Sequence, residues 1–236
     1  MMMMGSRGLA AAALALLAAI AAFGSVAAQQ RDRTMRFVAE YPLVGDDGTP
    51  VPNHAVKLVG PIERLAGVVT VGNPHGKISL AEFYDLNCPY CRIASVDIGD
   101  LVDTDSDLKL VLVPYPVLGP ASIAASRVEL AVAKLGAPDQ FYAFHRKIYA
   151  QRGVTDGIRA LAVAHQLGFD EAKLTALGNS DEITQIMKDH VALGNTLGLA
   201  ATPAFITSGV AILGYPGRHA LQAIVEAEGA CGKVKC

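Results

Sequence analysis

The stretch from Ile78 to Ala94, "ISLAEFYDLNCPYCRIA", constrains the fold more than any other. Ile78 to Tyr84, rich in apolar and aromatic side chains, reads as a strand. Cys88 and Cys91 follow, two residues apart, where the chain turns into a helix. Asn87 is a fair N-cap, and Pro89 suits the first helical turn. A cysteine placed there meets unpaired backbone N–H groups and the positive end of the helix dipole. Both favour thiolate over thiol, and such sites lower a cysteine pKa from about 8.5 to roughly 3.5–7.5. Cys88, first in the pair, is expected to be the exposed nucleophile. Cys91, one turn further in, is expected to be the buried resolving thiol.

Compartment and the other cysteines weigh on that reading. The chain opens with one early cation, Arg7, then an apolar run from Gly8 to Phe23, then the small residues "SVAA". This is the order of a secretory signal peptide spanning residues 1–28, with cleavage expected after Ala28. A membrane anchor needs about 20 apolar residues, which this run barely reaches. Cys88, Cys91, Cys231 and Cys236 all lie beyond the signal, and export permits disulfides. Of the three ways to pair four cysteines, the short spacings favour Cys88–Cys91 and Cys231–Cys236. Zinc on all four thiolates is disfavoured by the distance between the pairs and by the oxidising compartment. A purely structural Cys88–Cys91 crosslink would close too small a loop to remove much unfolded-state entropy. For Cys231 and Cys236 the order reverses, and a structural staple in the tail 231–236 is preferred to an accessory redox pair.

Other function classes recede. The net charge is −2, with no block of Lys or Arg and no Trp, so nothing suggests a nucleic-acid surface. The histidines form no metal or nucleophilic cluster. His75 falls in a turn, His145 and His165 on helices, and His54 and His190 are expected to be solvated. No P-loop, nucleophile elbow or dinucleotide fingerprint is present. No cofactor and no metal are expected.

Periodicity sets the organisation. Residues 29–67 read as an N-terminal arm or hairpin. Met35, Phe37, Ala39, Tyr41 and Leu43 alternate with mostly polar neighbours, Asp46-Asp47-Gly48 turns, and "VPNHAVKLV" returns. Val68 to Val71 and Leu108 to Val113 are further strands, the latter ended by Pro114 and Pro116. From Pro120 the period becomes helical, on Ala121, Ala124, Ala125, Val128, Ala131, Val132 and Leu135. Further helices are expected over Pro138 to Gln151, over Thr155 to Leu167 with Thr155 as cap, and after Asp170 and Ser180. A simple crossover needs only about a dozen residues, so the span of about 120–200 is an inserted helical subdomain. Ala204 to Thr207, Val210 to Leu213 and a helix from Arg218 to Glu228 complete an α/β chain.

A strand running into Cys88-Pro89-Tyr90-Cys91 and a helix, a helical insertion, and Thr202-Pro203 opening a late strand carry a resemblance. From about Val68 to Glu228 the chain resembles the DsbA-type periplasmic thiol–disulfide oxidoreductases. The resemblance implies a thioredoxin-like fold with an inserted helical subdomain, over a domain of 68–230. It implies dithiol–disulfide exchange in protein folding, with Cys88 attacking and Cys91 resolving. Thr202-Pro203 becomes a cis-proline loop facing the sulfurs, and Pro89, Tyr90 and Thr202 become substrate-binding. Glu82, six residues before Cys88, matches a buried acid that exchanges a proton with Cys91; the alternative is a solvated strand glutamate. The implied partners are reduced or misoxidised secreted proteins and a membrane redox partner of DsbB or DsbD type. A homodimer through residues 29–67 is a further expectation, and the implied compartment is the periplasm.

The chain also departs from that pattern. Val113-Pro114 stands where many relatives place Lys-Glu, leaving Lys109 as the nearest strand cation for Glu82. Tyr90 cannot supply an imidazolium to the thiolate. Pro-Tyr with Thr-Pro is more like the DsbG-type isomerases, so oxidase stands only slightly ahead of isomerase. The rival of a different class is a binding or chaperone module on the same fold, with purely structural cysteines.

Overall fold

A computed structural model describes residues 39–236. The expected signal peptide, 1–28, and residues 29–38 of the expected arm lie outside the described residues. Six strands form one sheet in the order β1-β6-β5-β3-β4-β2. They are β1 (Asn53–Ala55), β2 (Val69–Gly72), β3 (Ile78–Tyr84), β4 (Leu108–Pro114), β5 (Ala204–Thr207) and β6 (Val210–Leu213). β3 and β4 are parallel and central; the other pairings are antiparallel. The helices are α1 (Pro89–Thr104), α2 (Pro120–Leu135), α3 (Pro138–Tyr149), α4 (Gly157–Gln166), α5 (Glu171–Gly178), α6 (Asp181–Thr196) and α7 (Arg218–Cys231).

β3 and β4 are almost wholly buried because both faces of the sheet are covered, which is why they read as near-continuous apolar runs. Leu80, Tyr84, Leu110 and Leu112 pack on one side with Ile98, Phe141, Phe144 and Ile148. Ala81, Phe83, Val111 and Val113 pack on the other with Ile62, Leu197, Leu199 and Ile206. α2 to α6 lie between β4 and β5 in the chain, as the helical insertion, and α2 packs against α3, α4, α5 and α6. Its buried side is therefore broader than the expected stripe. Ser122, Ser126, Glu129 and Leu130 are inside, while Leu135 at its end is exposed.

Residues 39–67 do not stand free of the core. β1 pairs with β6, and Asp46 accepts the backbone N–H groups of His219 (3.0 Å) and Ala220 (2.8 Å) at the start of α7. Asp46 thus caps a helix whose own N-cap, Gly217, has no side chain to do so. The expected alternating strand is not formed over 39–43, where Ala39 makes only a single bridge to Asn53. Pro42 cannot donate to a ladder there. The outer side of β1 is covered too: Glu40 N–H donates to the Asn53 carbonyl, and Ala55 N–H to the Glu40 carboxylate.

Other local expectations shift. Cys88, not Asn87, is the N-cap of α1, and Asp156, not Thr155, caps α4. Asp170 and Ser180 cap α5 and α6. His190 is buried, not solvated, with its ring nitrogens on the Pro114 and Ala66 carbonyls. His54 is half-buried against the Leu197 carbonyl. Among the described residues no helix is long and apolar enough to cross a membrane.

Candidate active site

β3 delivers the chain to the N-terminus of α1, and Cys88 takes extended backbone there. As N-cap its sulfur lies over the first turn and accepts the Cys91 N–H at 3.5 Å. As a thiol it donates to the Thr202 carbonyl oxygen at 3.1 Å. The Thr202–Pro203 bond is cis and brings the start of β5 against the sulfur. Both thiols are unbonded in this structure.

Cys88 is only 4 % exposed, against the expected open nucleophile, because the Thr202–Pro203 loop lies over it. Pro89 and Tyr90 beside it are exposed, Tyr90 at 62 %. Cys91 is fully buried. The environment separates the two thiols. The Cys91 thiol's hydrogen bond, with the Thr202 side chain and the Cys91 and Tyr90 N–H groups, outweighs burial and brings the Cys88 pKa to about 6. Burial, the Cys88 sulfur and the Glu82 charge push the Cys91 thiol far up. At neutral pH Cys88 is a thiolate and Cys91 a thiol.

Glu82 shares the β3 face of Leu80 and Tyr84 and is 1 % exposed, so it is not a solvated strand glutamate. Neither carboxyl oxygen has a hydrogen-bond partner. Burial first, then the Cys88 and Glu129 charges, raise its pKa to about 8. Lys109 is not its partner. In the ladder Glu82 stands between Leu112 and Phe205, whereas Lys109 pairs with Ser79 and Gly72 and binds Glu63 at 2.8 Å.

Sequence reasoning missed the frame around the cysteines. Asp85 is buried and accepts Asn87 N–H, Val117 N–H, Leu118 N–H and Ser122 Oγ–H within 2.9 Å. Asn87 spends its side chain on Ser122, the Thr155 carbonyl and the Thr155 N–H. These bonds tie the segments near 117 and 155 to the residues just before Cys88, and both carry exposed apolar side chains: Val117, Leu118 and Val154. Tyr90 and Ile93 on α1 and Ile123 on α2 are exposed apolar side chains as well. Glu129, also missed, lies buried behind Tyr84 together with His145, which was expected on a helix. One signal was available: Glu129 is the only charge in the apolar run from Val128 to Val132.

Cys231 and Cys236 are joined by a disulfide at the end of α7, remote in the chain from Cys88 and Cys91. Among the described residues no three His, Cys, Asp or Glu side chains are grouped to hold a metal.

Residues 79–226 match the family model of the DSBA-like thioredoxin domain. The chain belongs to the DsbA-like thioredoxin family. It is a thiol–disulfide oxidoreductase of that family, and its fold is thioredoxin-like with a helical insertion. It is similar to a thioredoxin-like oxidoreductase from Silicibacter pomeroyi DSS-3, at 29 % identity and TM-score 0.66, over 72 % of this chain and 96 % of that one. It is similar to the thiol-disulfide exchange protein alpha-DsbA2 from Wolbachia pipientis, at 25 % identity and TM-score 0.60, over 67 % and 85 %. Oxidised BdbD from Bacillus subtilis shares the fold at 22 % identity and TM-score 0.59, over 74 % and 97 %. No curated protein matches. In this DsbA-like chain the CPYC pair occupies the strand-to-helix junction and faces the cis-proline turn.

Proposed function

We propose that this DsbA-like protein is exported and oxidises dithiols in secreted proteins through Cys88 and Cys91. The observation that carries the reading is the asymmetry of the pair: a cysteine held as thiolate at a helix N-terminus, and a buried one held as thiol. In the oxidised enzyme a substrate thiolate attacks Cys88 Sγ. The Cys88–Cys91 bond breaks, and Cys91 leaves with the electron pair and takes the Glu82 proton; Glu82, whose pKa is raised to about 8, regains a proton from solvent once the enzyme is reduced. A second substrate thiolate attacks the first substrate sulfur, and Cys88 leaves as thiolate. The substrate loses two electrons and the enzyme gains them. A low pKa makes Cys88 a good leaving group and stabilises the reduced enzyme, which favours oxidation of the substrate. Pro89, Tyr90, Thr202 and Pro203 border the sulfur and would hold the substrate strand. Tyr90 beside Cys88, and Val117 and Leu118 tied to Asp85, are exposed apolar side chains that suit an unfolded polypeptide, whose own apolar side chains are still exposed.

Thiol trapping across glutathione buffers tests this, using reduced and scrambled ribonuclease as substrates. Cys88→Ser should abolish exchange, and Cys91→Ser should accumulate mixed disulfides through Cys88. An active Cys88→Ser protein overturns the reading. Rescue of scrambled ribonuclease without net oxidation would favour the DsbG-type isomerase alternative.

Residues 1–28 support export to the periplasm, and the Cys231–Cys236 pairing suits an oxidising compartment. Turnover then requires reoxidation by a membrane partner of DsbB type, or reduction by one of DsbD type for the isomerase. Self-association through residues 29–67 would have to use something other than the outer side of β1, which residues 39–40 already cover. Sedimentation of the full-length chain checks this, and a monomer sinks it.

A further inference from the structure

A second buried acid lies behind the sulfurs. Glu129 on α2 is fully inside, as are Glu82 and Tyr84 on one face of β3. Tyr84 Oη–H donates to Glu129 Oε1 at 2.7 Å, and His145 Nδ1 stands 3.5 Å from the same oxygen. His145 is held edge-on between Tyr84 and Tyr149, with ring centroids at 4.6 and 4.9 Å. Glu82, by contrast, has no donor on either oxygen. One core therefore holds two carboxyl groups in unequal surroundings. Burial penalises ionisation of both, and like charges so placed penalise each other. The group with the donor and the facing imidazole ionises first, and its charge keeps the proton on the other.

We propose that Glu129 is a positioning residue: with Tyr84 and His145 it takes the negative charge of the buried pair and leaves the proton on Glu82, beside Cys91. The groups facing the pair bear this out from each packed element. α3 brings His145, with Tyr142 stacked on it and Tyr149 against it; β3 brings Tyr84, with Asp85 just after it; the N-cap of α1 brings Cys88 and its first turn Cys91. β4 places Leu112 beside Glu82. α4 and α5 turn only Ala160, Val163, Ala164, Leu174 and Gly178 inward. His190 on α6 is engaged by the Pro114 and Ala66 carbonyls instead. Burial raises the Glu129 pKa and His145, then Tyr84, offset part of that rise, whereas Glu82 is raised by burial, the Cys88 charge and the Glu129 charge with nothing to offset them.

The inference rests on the proposed proton transfer between Glu82 and Cys91, and it adds the residue that places that proton. Infrared titration of the carboxylic C=O band in the reduced full-length protein tests it directly. The native protein should show one buried protonated carboxyl at pH 7, absent from Glu82→Gln. Glu129→Gln should lower its midpoint by about one pH unit, since a neighbouring buried charge is gone. Tyr84→Phe removes only a hydroxyl and should show a second protonated band at pH 7, because Glu129 loses its donor. An unmoved midpoint in Glu129→Gln, or a single band in Tyr84→Phe, overturns the proposal. The pH profile of mixed-disulfide resolution tests the underlying reading separately. If its alkaline limb survives in Glu82→Gln, Glu82 is not the proton donor, whatever the infrared bands show.

Discussion

Cys91→Ala should raise the Cys88 pKa, because the Cys91 thiol is the largest influence holding Cys88 as a thiolate. In the native chain that pKa falls from an ordinary 9.0 to about 6. The difference amounts to about 4 kcal/mol in favour of the thiolate. A hydrogen bond to a charged group contributes about 1.5–3 kcal/mol, so its loss should move the midpoint up by about 1–2 pH units. The backbone N–H groups and Thr202 remain and keep the value below 9.0. Thiolate absorbance of the reduced proteins against pH reads both midpoints, with Cys88→Ser as the blank. The pH dependence of stability has a definite sign. A depressed folded-state pKa contributes stability that is fully present above the unfolded value and is lost as pH falls through the folded one. Reduced native protein should therefore gain stability over Cys88→Ser as pH rises from about 6 towards 9.0, and lose that gain below about 6. A native midpoint near 9.0, or equal midpoints in the native and Cys91→Ala proteins, would refute the reasoning.

Two further outcomes follow from the frame of the site. Asp85→Asn replaces an acceptor with a donor facing the N–H groups of residues 117 and 118, and should cost about 1–3 kcal/mol. Faster amide exchange at Val117 and Leu118 than in the native protein would localise the loss. Asp46→Ala should lower stability by about 1 kcal/mol through loss of the α7 cap, read from urea midpoints, with disulfide exchange unchanged.

Much of the fold was legible in the residue order because its signals are local. Ile78 to Tyr84, Ala204 to Thr207 and Val210 to Leu213 are short apolar runs between turn residues, and the structure places β3, β5 and β6 on those residues. The change of period at Pro120 marked the helical insertion, and Asp170 and Ser180 marked two helix starts. Cys88-x-x-Cys91 after a strand, with a later Thr-Pro, pointed to the family. Caps slipped by a residue where two polar candidates adjoin, as at Asn87 and Cys88, since the choice depends on what else the side chain can bind.

What tertiary structure decided are meetings between residues far apart in the chain. The cover over Cys88 comes from Thr202, the cap of α7 from Asp46, and the donor to Glu129 from Tyr84. Lys109 was the nearest strand cation the sequence offered for Glu82; strand register and the opposite pleat give it to Glu63. The periodicity of a sequence tells which side of an element is buried. It does not tell which element will lie against that side, and burial without a hydrogen-bond partner is the largest cause that raises the Glu82 pKa.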